Sequence, residues 1–178
     1  MMQGLPQDPI LSLSQAQDYE REYFQEKENL QWEVMTRAGE AVADSALRDM
    51  RELRTIPHRP RLMVLVGKGH NGADALIAAR RFLRTIPTAR AVIWQWMSKE
   101  ECRPLTQRAF EELIDFASKR LEILPVASDL SAEVLRDLFA RQTKEGGFDL
   151  LIDGLLGMQG RPGMQHPLGE WIRMINQS

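Results

Sequence analysis

The chain has 178 residues, 43% of them hydrophobic, and a formal net charge of −2. That length suits one domain with a real core, and the near-neutral charge gives no electrostatic case for binding nucleic acid or a membrane surface. The lone cysteine, Cys102, excludes an internal disulfide and fits a reducing cytoplasm; the N-terminal stretch MMQGLPQDPILSLSQ lacks the pattern of a signal peptide, and no apolar run is long enough to span a bilayer.

Residues 1–12 read as a flexible, proline-containing lead-in, and the domain is expected over 13–178. Ser14 is the expected N-cap of a helix running to about Leu30, with Gln15, Asp18 and Glu20 favourable in its first turns. A second helix is expected from about Trp32 to Leu53, its apolar face carrying Val34, Met35, Ala38, Ala41, Val42 and Ala46. Pro57 and Pro60 close that region.

Four strand–helix units follow. Strands are expected at 62–66, 90–96, 120–126 and 148–153, and helices at 73–85, 104–118, 131–142 and 167–176. This alternation predicts an α/β fold with a mostly parallel sheet. The strands are short apolar runs, as burial on both faces requires.

Two of the strand ends carry glycine loops. The run Leu62–Val66 stops at Gly67-Lys68-Gly69-His70-Asn71-Gly72, a literal G-x-G-x-x-G, and a helical pattern follows at once. A strand, a glycine turn and a helix N-terminus make an anion site, because unpaired N–H groups and the helix dipole point into the turn. A dinucleotide fingerprint is incomplete: no acid ends the next strand, RAVIWQW. A P-loop also fails, since Ala73 and Asp74 stand where Lys and Ser/Thr belong. Asn71 offers an amide oxygen to a hard cation or a sugar hydroxyl. Alternatively, Asn71 serves a left-handed backbone and Asp74 caps the helix. Lys68 is a candidate phosphate contact and His70 a candidate general base, against a plain reading of both as exposed loop residues.

The second loop follows FDLLID and holds Gly154, Gly157, Gly160 and Gly163. Asp153 ends an otherwise apolar strand beside it, a place suited to an acid–base group or a cation ligand. Its structural alternative is to accept N–H bonds from the following loop. In a doubly wound sheet the two loops are expected side by side, with strands 62–66 and 148–153 as parallel neighbours.

Three segments together resemble the YjeF N-terminal domain family, the NAD(P)H-hydrate epimerases: GKGHNGADA at 67–75 for the family's G-x-G-N-N-G-G-D-G, DGLLGMQG at 153–160 for D-A-L-L-G-T-G, and VMTRAG at 34–39 for L-M-x-R-A-G, with Asp18 matching an acid in the preceding helix. The resemblance implies a Rossmann-like three-layer α/β/α sandwich with two N-terminal helices. It implies epimerisation of the R and S forms of hydrated nicotinamide cofactors, NADHX and NADPHX, in metabolite repair. Carried over, Asn71 and Asp153 would bind a potassium ion, and Asp153 would be the catalytic group. His70, Asn71, Gly72, Ala73 and Asp74, with Gly157, Met158, Gln159, Gly160, Arg161, Pro162 and Gly163, would line the cofactor. A cytoplasmic protein follows, with NADHX, NADPHX or a related nucleotide as partner, a homodimer as a possibility, and neither nucleic acid nor membrane.

The chain departs from the family pattern. His70 replaces an Asn, Ala73 and Ala75 replace glycines, and Met158-Gln159 replaces Thr-Gly. The added methyls are expected to crowd the ligand. A V-D-x-P-S-G-like segment, which carries a substrate Asp and a Ser-centred potassium ligand in the family, is absent from these residues, so the domain is expected to be incomplete at its C-terminus and strand 148–153 to have an unpaired edge. The alternative function is a non-catalytic nucleotide-binding or dimerisation module of the same fold, as in relatives within messenger-RNA decapping scaffolds.

Overall fold

The structure, a computed structural model, describes residues 11–25, 27–126, 130–144 and 146–157, together with 169, 172 and 173. The expected lead-in at 1–12, the loop residues Met158 to Gly163 and the helix at 167–176 lie wholly or mostly outside the described residues. The chain divides into two compact units, residues 1–34 and 35–178.

In the first unit, helix α1 spans Leu13–Phe24. Ser12, not Ser14, is its N-cap. The Ser12 hydroxyl accepts the Gln15 N–H at 3.3 Å, and the Gln15 side chain accepts the Ser12 N–H at 2.9 Å. This reciprocal box satisfies two N–H groups at once. The helix stops well short of Leu30. Gln25 takes a left-handed conformation (φ 32°), and its N–H bonds the Arg21 carbonyl.

Helix α2 spans Glu28–Leu53. Within the second unit its buried stripe is Met35, Gly39, Ala43, Leu47 and Met50, while Val42 is 50% exposed and Ala38 and Ala41 also face solvent. The expected apolar face is therefore rotated from the real one. The stripe runs through Gly39, where an added Cβ would lie 2.8 Å from the Ile77 side chain and 2.9 Å from the Asp74 carbonyl oxygen. Close helix crossing selects glycine there, and glycine carries no apolar signal for a periodicity argument.

The sheet has four parallel strands, β1 (Arg61–Val66), β2 (Arg90–Gln95), β3 (Leu121–Pro125) and β4 (Leu150–Gly154), in the order β3-β2-β1-β4. Between them run α3 (His70–Thr85), α4 (Pro104–Ala117) and α5 (Ala132–Lys144). Strand residues alternate between faces. Met63, Leu65, Val92 and Trp94 form one cluster with Leu135, Leu138 and Phe139 of α5. Val66 and Gly154 belong to the opposite face, where their neighbours are Gly72 and Ala75 of α3, and α4 packs on α3. The result is the expected three-layer, Rossmann-like α/β/α arrangement. Among the described residues no helix is long and apolar enough to cross a membrane.

At the amino edge Asp149 joins β4 to β1. It accepts the Arg61 N–H at 2.9 Å and an ion pair from Arg54 at 3.0 Å, which is why β4 begins at Leu150 rather than Phe148. At the carboxyl edge the ladder continues past the end of β1, with the Gly67 N–H on the Gly154 carbonyl at 3.1 Å. Chain order reverses between β1 and β4, so this edge is the switch point of the sheet.

Candidate functional site

Strand β1 delivers its loop to this switch point. The loop packs so tightly that a Cβ at Gly67 would stand 2.1 Å from the Leu155 carbonyl oxygen, and one at Gly72 would stand 2.2 Å from the Gly67 carbonyl oxygen. At Gly69 nothing lies within 4 Å of such a Cβ, so the loop is open on that side. Gly69 is the N-cap of α3 in extended conformation, and no side chain caps the helix. Its carbonyl accepts the Gly72 N–H at 2.9 Å and starts the helix.

Both structural alternatives for the first loop are overturned. Asn71 is helical, and Gln25 is the non-glycine residue with positive φ among the described residues. Asp74 lies inside α3, four residues past its first position, and does not cap it. Asp74 is half-buried, and burial pushes its carboxyl up to about 6. His70 is half-buried and Lys68 exposed.

The two loops meet through Asn71. Its Nδ2 donates to the Leu156 carbonyl at 2.6 Å, across 85 positions of sequence. Its Oδ1 faces Gly157, where a Cβ would come within 3.2 Å. One of the amide's two N–H donors is thus spent on the second loop, and its oxygen is left toward a residue that has no side chain to fill the space. Asp153 pairs in register with Leu65, near the end of β4, on the same rim. Its Oδ1 accepts the Leu155 N–H at 2.9 Å, so it does hold its own loop. The side chain is also exposed, which leaves the carboxylate accessible.

Ala73 and Ala75 do not crowd a ligand. Both are buried in the protein, and the Ala75 methyl lies against Gly154. Met158 to Gly163 are outside the described residues, and with them most of the second loop's expected lining. Among the described residues no three His, Cys, Asp or Glu side chains gather as a metal cluster.

Sequence reasoning missed Thr106. It is fully buried in the first turn of α4, and its hydroxyl donates to the Gly69 carbonyl at 2.9 Å. Pro104 signals that a helix begins there, but nothing local says which loop its third residue meets.

A NAD(P)H-hydrate epimerase from Roseobacter litoralis is 27% identical over 160 residues, which cover 89% of this chain and 66% of that protein. The crystal structure of yeast ynu0 (YNL200c) matches with a TM-score of 0.68 at 20% identity, over 95% of this chain and 65% of that one. The fold is therefore shared, and the chain spans about two thirds of the length of both relatives. The family described as YjeF-related protein N-terminus matches residues 31–178, and the chain belongs to that family.

Proposed function

We propose that the chain has the chemistry of a NAD(P)H-hydrate epimerase, interconverting the R and S forms of NADHX or NADPHX in the cytoplasm. The observation that carries this is the convergence of the two glycine loops at the β1–β4 switch point, with Asn71 spanning them and Asp153 beside them. A nucleotide phosphate would sit at the α3 N-terminus, over the open side of Gly69. His70, Asn71 and Asp74 and the 157–163 loop would line the cofactor, while the buried Gly72 and Ala73 would contribute backbone only.

Inversion at the hydrated ring carbon breaks a bond to that carbon and re-forms it on the other face. A group must give up a proton and take it back as this happens. Asp153 is the candidate: its second carboxylate oxygen remains available while the first holds the loop. The oxygen donors of Asn71 and Asp153 suit a hard cation such as potassium. Asn71 and Asp153 would hold the ion, which when bound would supply positive charge beside the ligand without titrating.

The bond from the Leu155 N–H to Asp153 favours a second reading, a nucleotide-binding or dimerisation module in which Asp153 is only a turn former. Asp153→Asn separates the two, because the amide oxygen can still accept that N–H while the titratable proton is lost. Epimerisation in potassium buffer is expected to fall by about 10²–10⁴-fold with the fold intact. An active parent whose variant keeps full activity would leave Asp153 structural. A parent that binds hydrated nucleotide without turning it over would establish the binding module.

A further inference from the structure

We propose that Thr106 is a positioning residue that sets the ligand affinity of the first glycine loop from behind. This rests on the reading of that rim as the site for a hydrated nicotinamide nucleotide. Thr106 is the one fully buried polar side chain among the described residues. Its hydroxyl donates to the Gly69 carbonyl at 2.9 Å and lies 3.5 Å from that of Lys68. Two positions before it, Pro104 opens α4, and the Arg103 N–H just ahead donates to the Lys68 carbonyl at 2.9 Å. The first turn of α4 therefore holds two consecutive carbonyls of the loop.

At Gly69 the loop is gripped on one side only. A Cβ at Gly69 would meet nothing within 4 Å, so no side chain supports the peptide where a ligand would lie. The Gly69 carbonyl also receives the Gly72 N–H that begins α3. One oxygen thus links the first turns of two helices, and the Thr106 hydroxyl fixes the plane of the peptide that leads into α3. That plane decides where the N–H groups of the first turn point. It also decides where Asn71, two residues on, can reach the second loop. Fixing this orientation before the ligand arrives lowers the ordering cost of binding.

Thr106→Val keeps the shape and removes the hydroxyl; Thr106→Ser keeps the hydroxyl. The Gly69 carbonyl retains its bond from Gly72 in both, so a grossly unfolded variant is not expected. In the full chain without ligand, amide exchange in residues 68–72 should accelerate about tenfold in Thr106→Val, the factor carried by one hydrogen bond of ordinary net strength. Exchange in β1 should stay unchanged, and Thr106→Ser should restore the parent rate. With hydrated NADH as substrate, KM should rise by a similar factor of about ten while kcat stays within about twofold. Unchanged exchange in Thr106→Val, faster exchange spread evenly through β1 and α3, or a serine variant no better than valine would overturn the proposal. A parent chain without epimerase activity would instead sink the functional reading, and the ligand-free exchange pattern would still decide the role of Thr106.

Discussion

At Gly67 and Gly72 the missing side chain is demanded by neighbouring carbonyl oxygens, whereas at Gly69 it is not. Gly67→Ala and Gly72→Ala should each cost about 3 kcal/mol or more in urea unfolding, because backbone rather than a flexible side chain must give way. Gly69→Ala should cost within about 1 kcal/mol, the range of a changed N-cap. The same residue scale carries a pH effect. The Asp74 carboxyl titrates at about 6 in the folded chain, above its ordinary value of 3.8, because burial disfavours its charge. Between those values the folded state holds more protons than the unfolded state, so stability falls as pH rises through that window and levels off above it. Comparing parent with Asp74→Asn from pH 4 to 7 should show that slope in the parent alone. Its size should be about 1–2 kcal/mol, since the carboxyl keeps some solvent contact that screens its charge.

Among the elements, α2 tests the corrected stripe. Leu47 is 2% exposed and Val42 50%. Leu47→Ala should cost about 2–4 kcal/mol, and Val42→Ala within about 0.5 kcal/mol, by thermal or urea unfolding. A sequence argument that collects apolar letters picks Val42; the structure passes instead through Gly39 because two helices cross closely there. Helices α3 and α4 are tied by Glu112, which receives both Arg80 and Arg108. Arg80 is largely buried, so Glu112→Gln should destabilise by about 1–2 kcal/mol, more than loss of the more exposed pair between Asp44 and Arg81. The cap of α1 lies two residues before the expected Ser14 for a local reason: Ser12 and Ser14 both have cap chemistry and both have a glutamine three positions ahead, Gln15 and Gln17, so the local pattern does not choose between them.

For the molecule as a whole, the alternation of short apolar strands with helical patterns was sufficient to place four parallel strands and to set β1 beside β4. The expected burial on both faces holds for β1 and β2 but fails for the outer strands β3 and β4, where Ile123 and Leu151 are each 37% exposed, so there the short apolar run and its spacing from the helices carried the reading. The rim was legible to the extent that glycine and a terminal acid mark it. The bond from Asn71 to Leu156 and the one from Thr106 to Gly69 were not legible, since each joins residues far apart through a backbone carbonyl, which has no letter in the sequence. The sheet order has its own measurable consequence. Strand β1 is paired on both sides, by β2 and by β4, and β3 pairs with β2 alone among the described strands. Strand β2 is likewise paired on both sides, by β1 and β3, so hydrogen exchange by mass spectrometry should find β1 and β2 slower than β3. A β1 that exchanges ahead of β3 would contradict the order.

The tie between Asn71 and Leu156 also bears on chemical ageing. Asn71-Gly72 is an asparagine–glycine pair, the dipeptide in which the glycine nitrogen most easily attacks the preceding side-chain amide and expels ammonia. Here the Gly72 N–H is bonded to the Gly69 carbonyl, and the amide nitrogen that would leave is bonded to Leu156. Both reacting groups are restrained, in a helical turn that keeps them from approaching. Deamidation at this position should therefore proceed from locally opened or unfolded chains. Once formed, an aspartate would set a carboxylate oxygen against the Leu156 carbonyl, two acceptors facing each other, and would drive the loops apart. The shelf life of the rim is thus set by how often the two loops separate.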